Sequence, residues 1–229
     1  MKRFLLLLVL LAGCTAPPVS TPPASVPGFS AGWYLQAESA GKKILRIDAR
    51  QSLIAVTVHR DGALARLGHD HVVASRGITG FVAPDDGRAD FHFRLDEMSI
   101  DEPGLRREAG FDTQPPADAI AGTRRNMLTK TLDAARYPFV LLHAERAAQG
   151  DSMLHLTITL QGVTRTVVVP TRIERMPEKL AASGTLSLLQ SDFGITSMSV
   201  LGGAIQVLDR IDLRFRIVAT QRAATRAVQ

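Results

Sequence analysis

The sequence predicts an all-β domain whose antiparallel strands pack as a sandwich or close into a barrel. Several segments alternate apolar and polar residues with a period of two, the pattern of strands with one buried and one solvated face. Turn sequences such as Asp61-Gly62 and Gln161-Gly162 separate these segments. The hydrophobic fraction of 45% supports a sizeable core, and the aromatic fraction of only 5% makes that core mainly aliphatic.

Residues 1–13 have the features of a lipoprotein signal peptide. Lys2 and Arg3 precede an apolar run at residues 4–11, which is shorter than the about 20 residues of a membrane-spanning helix. Leu11-Ala12-Gly13-Cys14 follows and resembles the bacterial lipobox. The resemblance implies that Cys14 is acylated and anchors the protein, and that Thr15 directs it to the outer membrane of a Gram-negative host. An ordinary cleaved signal is the alternative.

Residues 14–42 predict a tether between the lipidated cysteine and the folded domain, which we place at residues 43–220. Residues 15–32 contain five of the 12 prolines of the chain, a composition that favours an extended, polyproline-like segment. Trp33 and Tyr34 predict packing at the start of the domain, with contact to lipid headgroups as the alternative. Residues 221–229 indicate a disordered tail.

The composition excludes several classes of function. The net charge falls from +5 to +3 without Lys2 and Arg3, and no basic block interleaved with aromatic residues remains, so nucleic-acid binding is not predicted. Cys14 is the single cysteine, which excludes an intrachain disulfide and a zinc site built on several thiolates. The sequence has no phosphate-binding glycine loop, G-x-S-x-G or H-E-x-x-H motif. We therefore predict no enzyme and no required cofactor.

The four clearest strands each place apolar side chains on one face. These side chains are Ile54, Val56 and Val58; Phe91, Phe93 and Leu95; Leu154, Leu156, Ile158 and Leu160; and Ile211, Leu213, Phe215 and Ile217. The opposite faces are predicted to be solvated and carry mostly polar residues; on the first strand this face holds Ala55, Thr57 and His59. Weaker strand patterns occur at residues 43–48, 71–83, 139–147, 163–173 and 179–189.

Residues 102–136 interrupt the strand pattern and predict a helical insert lying across one end of the barrel. Pro115-Pro116 is suited to start a helix, and the residues at helical spacing are Ile120, Met127, Leu128, Thr131 and Leu132. The insert also carries Arg106, Arg107, Arg124, Arg125 and Lys130. These basic residues predict a solvated helix face, and contact with anionic lipid is the alternative.

The sequence Gly68-His69-Asp70-His71 is the most unusual polar motif. In an extended segment His69 and His71 point to the same side. Three interpretations stay open: pairing with Asp70 or backbone groups in a tight turn, a headgroup hydrogen-bond donor or proton shuttle, and a metal site that would need at least one further ligand.

Several short motifs occur together in the order and spacing of a known family. They are Ile47-Asp48, Ser52-Leu53-Ile54, Ser99-Ile100-Asp101, Arg125-x-Met127-Leu128, Leu132-Asp133, Tyr137-Pro138, Gly162-Val163-Thr164-Arg165, Ser191-Asp192-Phe193-Gly194-Ile195 and Leu201-Gly202-Gly203. Residues 43–220 thus resemble the YceI-like family of lipid-binding, lipocalin-like barrels. The resemblance implies an antiparallel eight-stranded barrel whose long apolar cavity takes a polyisoprenoid, such as a quinone or polyprenyl lipid, or a fatty amphiphile. The histidine motif departs from the family pattern.

Taken together, these observations predict an envelope lipoprotein that holds an apolar lipid, on the periplasmic face of the outer membrane. The predicted cavity wall is Ile54, Val56, Val58, Phe91, Phe93, Leu95, Leu154, Leu156, Ile158, Leu213 and Phe215, with His69 and His71 as polar contacts at the mouth. Two alternatives stay open. One is a metal-dependent enzyme or metal-binding protein that uses His69-Asp70-His71, and the other is a structural envelope adaptor with a filled barrel.

Overall fold

The structure is a computed structural model that describes residues 26–147 and 152–221. The predicted signal peptide, Cys14, the first part of the tether and residues 222–229 lie outside the described residues. Within the described part, the strands form one antiparallel sheet that closes on itself. The strands are β1 Leu45–Ile47, β2 Leu53–Asp61, β3 His71–Ser75, β4 Thr79–Ala83, β5 Arg88–Arg94, β6 Ser99–Ile100, β7 Phe139–Arg146, β8 Met153–Leu160, β9 Val163–Met176, β10 Lys179–Leu189, β11 Ser199–Val200 and β12 Ile205–Thr220.

The barrel wall has eight strand positions because three of them hold two short strands each. β1 and β2 share the position next to β12. β4 pairs with β1 and β3 pairs with β2, so β4 and β3 share the next position. β5 pairs with β4 and β6 pairs with β3, which makes the third shared position. β7, β8, β9 and β10 follow in chain order from β5, and β10 pairs with β12 to close the ring. The predicted eight-stranded antiparallel barrel is confirmed.

The inner face of the barrel carries the main hydrophobic core. Its buried members include Ile54, Phe91, Phe93 and Ile158, all from the predicted apolar faces. One glycine gives space to an inward aromatic ring: Gly184 lies opposite Phe215 in the β10–β12 register. A Cβ atom on Gly184 would come within 3.0 Å of the Phe215 ring and 2.6 Å of the Pro170 carbonyl oxygen.

The outer face is polar along most strands, as the alternation predicts. Thr157 and Thr159 on β8 pair their hydroxyl groups with Thr166 and Thr164 on β9, each at 2.9 Å. Ala55 is one exception, because its exposed fraction is only 1%, and its outer-face neighbours Val72 and Ala74 are equally buried. Our prediction of a wet position there is wrong, since a helix of the insert packs over this patch of the outer wall.

The insert contains three helical segments: α1 Pro103–Glu108, α2 Ala117–Asn126 and a π-helix Met127–Thr131. Met127, Leu128 and Leu132 pack against the barrel core, which confirms a helical insert at one end. The prediction of a solvated basic face is wrong for Arg106, which is 2% exposed. Arg124 is half-buried and donates to the carbonyl oxygens of Asp96 and Met98.

A further short helix, α0 Gly32–Ser39, lies against the outer wall before the first strand. Tyr34 is fully buried there; its ring stacks on Phe81 at 5.2 Å, and its hydroxyl donates to Asp90 at 2.6 Å. The packed domain therefore begins before Lys43, so the predicted tether boundary at residue 42 lies too late in the chain. Among the described residues, no helix has the length and hydropathy needed to cross a bilayer.

Candidate functional site

The barrel encloses a cavity of about 470 Å³. This volume falls within the range of about 300–1,000 Å³ that is typical of small-molecule sites. Every residue of the predicted apolar wall lines it: Ile54, Val56, Val58, Phe91, Phe93, Leu95, Leu154, Leu156, Ile158, Leu213 and Phe215. The structure thus brings the predicted wall together around one space, and contact between these residues and a ligand stays a prediction.

The cavity is apolar along its length and polar near both ends. Val, Leu, Ile and Phe side chains from every barrel position form the middle of its wall. Arg88, Arg146 and Arg175 line the end near the turn at residues 84–87, where the last two donate to the Pro84 carbonyl oxygen. The opposite end, which we call the mouth, lies beneath the insert. An amphiphile whose polar group stays at one end fits this distribution.

The residues that line the mouth around the histidine motif include Gly68, His69, His71, Thr123 and Met127. The two histidines come from β3 and the segment before it, and the other two side chains come from α2 and the π-helix. Both predicted histidines therefore reach the cavity. They differ in exposure, since His69 is exposed, whereas the His71 side chain is 14% exposed.

His71 is held by a buried carboxylate. Its Nδ1 lies 2.6 Å from Asp101 Oδ2, and its Nε2 lies 3.3 Å from Thr123 Oγ1. The other carboxylate oxygen, Asp101 Oδ1, accepts the Val72 N–H at 3.0 Å and the Arg106 guanidinium at 2.8 Å. The ring orientation is thus fixed by a network of hydrogen bonds rather than by packing alone.

The Asp101–Arg106 ion pair at the base of this network is almost completely removed from solvent. The exposed fractions of the two side chains are 0% and 3%. Burial opposes ionisation of Asp101, but hydrogen bonds from His71, the Val72 N–H and Arg106 outweigh it and lower the pKa of the carboxyl group. Arg106 also donates to the carbonyl oxygens of Asp70 and Thr113, so its charge is satisfied on several sides.

Of the three interpretations of the histidine motif, pairing with Asp70 is wrong for His71, because the carboxylate beside its ring is that of Asp101. Asp70 instead accepts the Arg60 N–H at 2.9 Å. Asp101 binds the Nδ1 of His71, so the Nε2 of this ring would be its only nitrogen available to a metal. Within residues 26–147 and 152–221, no group of three or more His, Cys, Asp or Glu side chains is arranged to hold a metal ion.

Sequence reasoning missed Asp101, Arg106 and Thr123 as parts of the mouth. Asp101 belongs to the motif Ser99-Ile100-Asp101, which supported the family resemblance, but nothing in the sequence connects it to His71, thirty residues earlier. The connection arises because β6 pairs with β3 and brings Asp101 beside Val72.

The geometry agrees with the comparison to known families. The model of the YceI-like domain matches residues 46–219. The chain belongs to the YceI-like family. No curated protein sequence matches it.

Two solved structures with the same fold illustrate this family assignment. The crystal structure of Burkholderia cenocepacia BcnA is 16% identical, with a TM-score of 0.54, and the match covers 76% of this chain and 99% of that chain. A polyisoprenoid binding domain from Saccharophagus degradans, implicated in plant cell wall breakdown, is 10% identical, with a TM-score of 0.56 and coverage of 77% and 97%. At these identities the likeness shows the YceI-like fold alone.

Proposed function

We propose that this YceI-like protein binds the chain of an isoprenoid or another long apolar lipid inside its barrel, as a carrier or store rather than as a catalyst. The observation that carries the proposal is the cavity of about 470 Å³ with its continuous apolar wall. The description of the Saccharophagus degradans neighbour as a polyisoprenoid binding domain supports the same ligand class.

An apolar chain needs no directional contacts in such a cavity. Each methylene group removed from water contributes about 0.8 kcal/mol, so a long chain gains enough free energy to offset the cost of association. An eight-stranded barrel has room for side chains alone or for one ligand. The observed volume favours a ligand and speaks against the structural adaptor with a filled barrel, for which we expect well under 300 Å³.

We further propose that acylated Cys14 anchors the protein to the periplasmic face of the outer membrane. This part rests on the lipobox resemblance of Leu11-Ala12-Gly13-Cys14. Several acyl chains on one cysteine provide stable anchoring where a single chain would be marginal. An anchored barrel would stay close to the membrane that supplies or receives its lipid.

A substitution that fills the cavity tests the binding proposal. Leu156 points into the cavity from β8, and its neighbour His155 is exposed on the outer face. Native mass spectrometry of the full chain in detergent with geranylgeraniol should show at least tenfold less complex for Leu156→Trp than for the wild type. The matched variant His155→Trp should bind like the wild type. Equal binding by both variants, or none by the wild type, would contradict the proposal.

A further inference from the structure

The hydrogen-bond partners of Asp101 fix which nitrogen of His71 carries a proton. Asp101 Oδ1 is engaged by the Val72 N–H and Arg106, and Oδ2 lies 2.6 Å from His71 Nδ1. An ionised carboxylate only accepts hydrogen bonds, and its lowered pKa keeps Asp101 ionised near neutral pH. His71 Nδ1 must therefore donate its hydrogen to Asp101. In the form of the ring with a single N–H, Nε2 is then an acceptor.

The atom facing Nε2 does not change this acceptor character. Thr123 Oγ1 lies 3.3 Å from Nε2 and has a single hydroxyl hydrogen. If that hydrogen is donated to Nε2, the Thr123 oxygen faces the cavity with its lone pairs. If Thr123 turns its hydrogen toward a ligand, Nε2 is left as the free acceptor. In both arrangements the pair can accept one hydrogen from the ligand.

We propose that His71 and Thr123 make the mouth selective for amphiphiles that end in a hydroxyl group, such as long-chain prenols or quinol-type phenols. This inference rests on the proposed lipid binding and adds the chemistry of the polar end. A hydroxyl group donates to one member of the pair and accepts from the other. An ether or a hydrocarbon end supplies no hydrogen, so its complex has one hydrogen bond fewer than that of the alcohol.

The two arginines next to the mouth already donate hydrogen bonds within the protein. The Arg60 guanidinium donates to the Gly68 carbonyl oxygen and lies 3.5 Å from Asp70. Arg106 is directed to Asp101 and two backbone carbonyl oxygens. Both cations are thus held by protein acceptors. His69 also lines the mouth, but it is exposed, so water can satisfy its ring. The His71 side chain is only 14% exposed, and for this reason we assign the role to the His71–Thr123 pair.

A competition between two ligands of the same chain length tests the inference. The full-length protein in detergent at pH 8 is mixed with equal amounts of geranylgeraniol and geranylgeranyl methyl ether, and native mass spectrometry compares the two complexes. We expect the alcohol complex to exceed the ether complex by about three- to tenfold, the ratio that one net hydrogen bond provides.

Three variants assign the preference to the residues responsible. His71→Leu should lower the ratio toward one, because the oriented acceptor Nε2 is lost and only the rotatable Thr123 hydroxyl remains, whereas Thr123→Val should keep the preference because Nε2 remains an acceptor. Asp101→Asn should also lower the ratio to about one, since its amide nitrogen would face Nδ1 and move the ring hydrogen to Nε2. If that variant does not fold, the other two decide. His143→Leu, on the outer wall, is the control and should keep the preference.

The possible failures are distinguishable. A wild-type ratio near one with both ligands bound would overturn the hydroxyl preference and leave the lipid-binding proposal standing. Retention of the preference in His71→Leu, or its loss in Thr123→Val alone, would overturn the assignment to His71. Absence of both complexes would contradict the lipid-binding proposal itself.

Discussion

Two aspartate–histidine pairs occupy opposite faces of the same barrel wall. Asp101 holds His71 at the mouth, and Asp90 holds His143 on the outer face of β5 and β7, with a distance of 2.6 Å in both pairs. Each carboxylate also binds an arginine, Arg106 in the first case and Arg88 in the second. The local chemistry is nearly the same, so the surroundings decide what each pair does.

The two networks differ in the solvent exposure of their side chains and in the further hydrogen-bond partner of the carboxylate. The side chains of Asp101 and Arg106 are 0% and 3% exposed, whereas those of Asp90 and Arg88 are 17% and 35% exposed. Asp90 also accepts the Tyr34 hydroxyl and so fastens α0 to the wall. The inner pair orients a ring toward the cavity, and the outer pair attaches a helix. A carboxylate beside a histidine is therefore not by itself a sign of a ligand site.

Removing the two carboxylates in turn should give the largest difference between these regions. Asp101→Ala leaves Arg106 buried without its counter-charge, and the loss of one partner from a buried ion pair costs about 3–5 kcal/mol. Asp90→Ala leaves Arg88 and His143, which reach solvent, and the buried hydroxyl of Tyr34, and we expect a loss of about 1–3 kcal/mol. Urea unfolding of both variants measures the difference. Equal losses would show that burial does not distinguish the two networks.

A third histidine sharpens the comparison because it lacks a carboxylate. His92 lies on the outer face beside Phe29 and Phe139, and its Nδ1 is buried without a hydrogen-bond partner among the described residues. Desolvation lowers the pKa of His92. The unfolded chain then binds the proton more readily, so the contribution of His92 to stability should diminish as the pH falls below about 6.5, the ordinary pKa of histidine.

This smaller effect is measurable as a difference between two proteins. The free energy of unfolding of the wild type should decrease more between pH 7 and pH 5 than that of His92→Phe, which has no group to protonate there. Parallel pH profiles would contradict the effect of desolvation on His92.

The barrel itself could be predicted largely from the sequence, because alternation records which side of a strand meets apolar surroundings. The wall residues from Ile54 to Phe215 follow from that pattern. The alternation does not show that a helix packs on the outer face. The predicted solvent exposure of Ala55, which lies under α1, is therefore wrong. Helix α0 was missed for a similar reason: Gly32–Ser39 follows a proline-rich segment, and only Tyr34 and Ala37 of its residues are buried.

The polar mouth could be predicted only in part. The spacing of His69 and His71 placed both on the cavity side, as the structure shows. The partner of His71 depends on the pairing of β3 with β6, a contact between distant parts of the chain. The burial of Arg106 depends on the same pairing, so the sequence alone predicts that this basic side chain is solvated.

The most direct test of a lipid-filled barrel is the mass of the protein as cells make it. The full chain is extracted from membranes in mild detergent, and native mass spectrometry is followed by organic extraction. We predict about one long-chain isoprenoid or similar apolar lipid per chain; the proposed acylation of Cys14 would add its own mass. A bare chain, under conditions in which a known lipid-binding protein keeps its ligand, would contradict the proposed function.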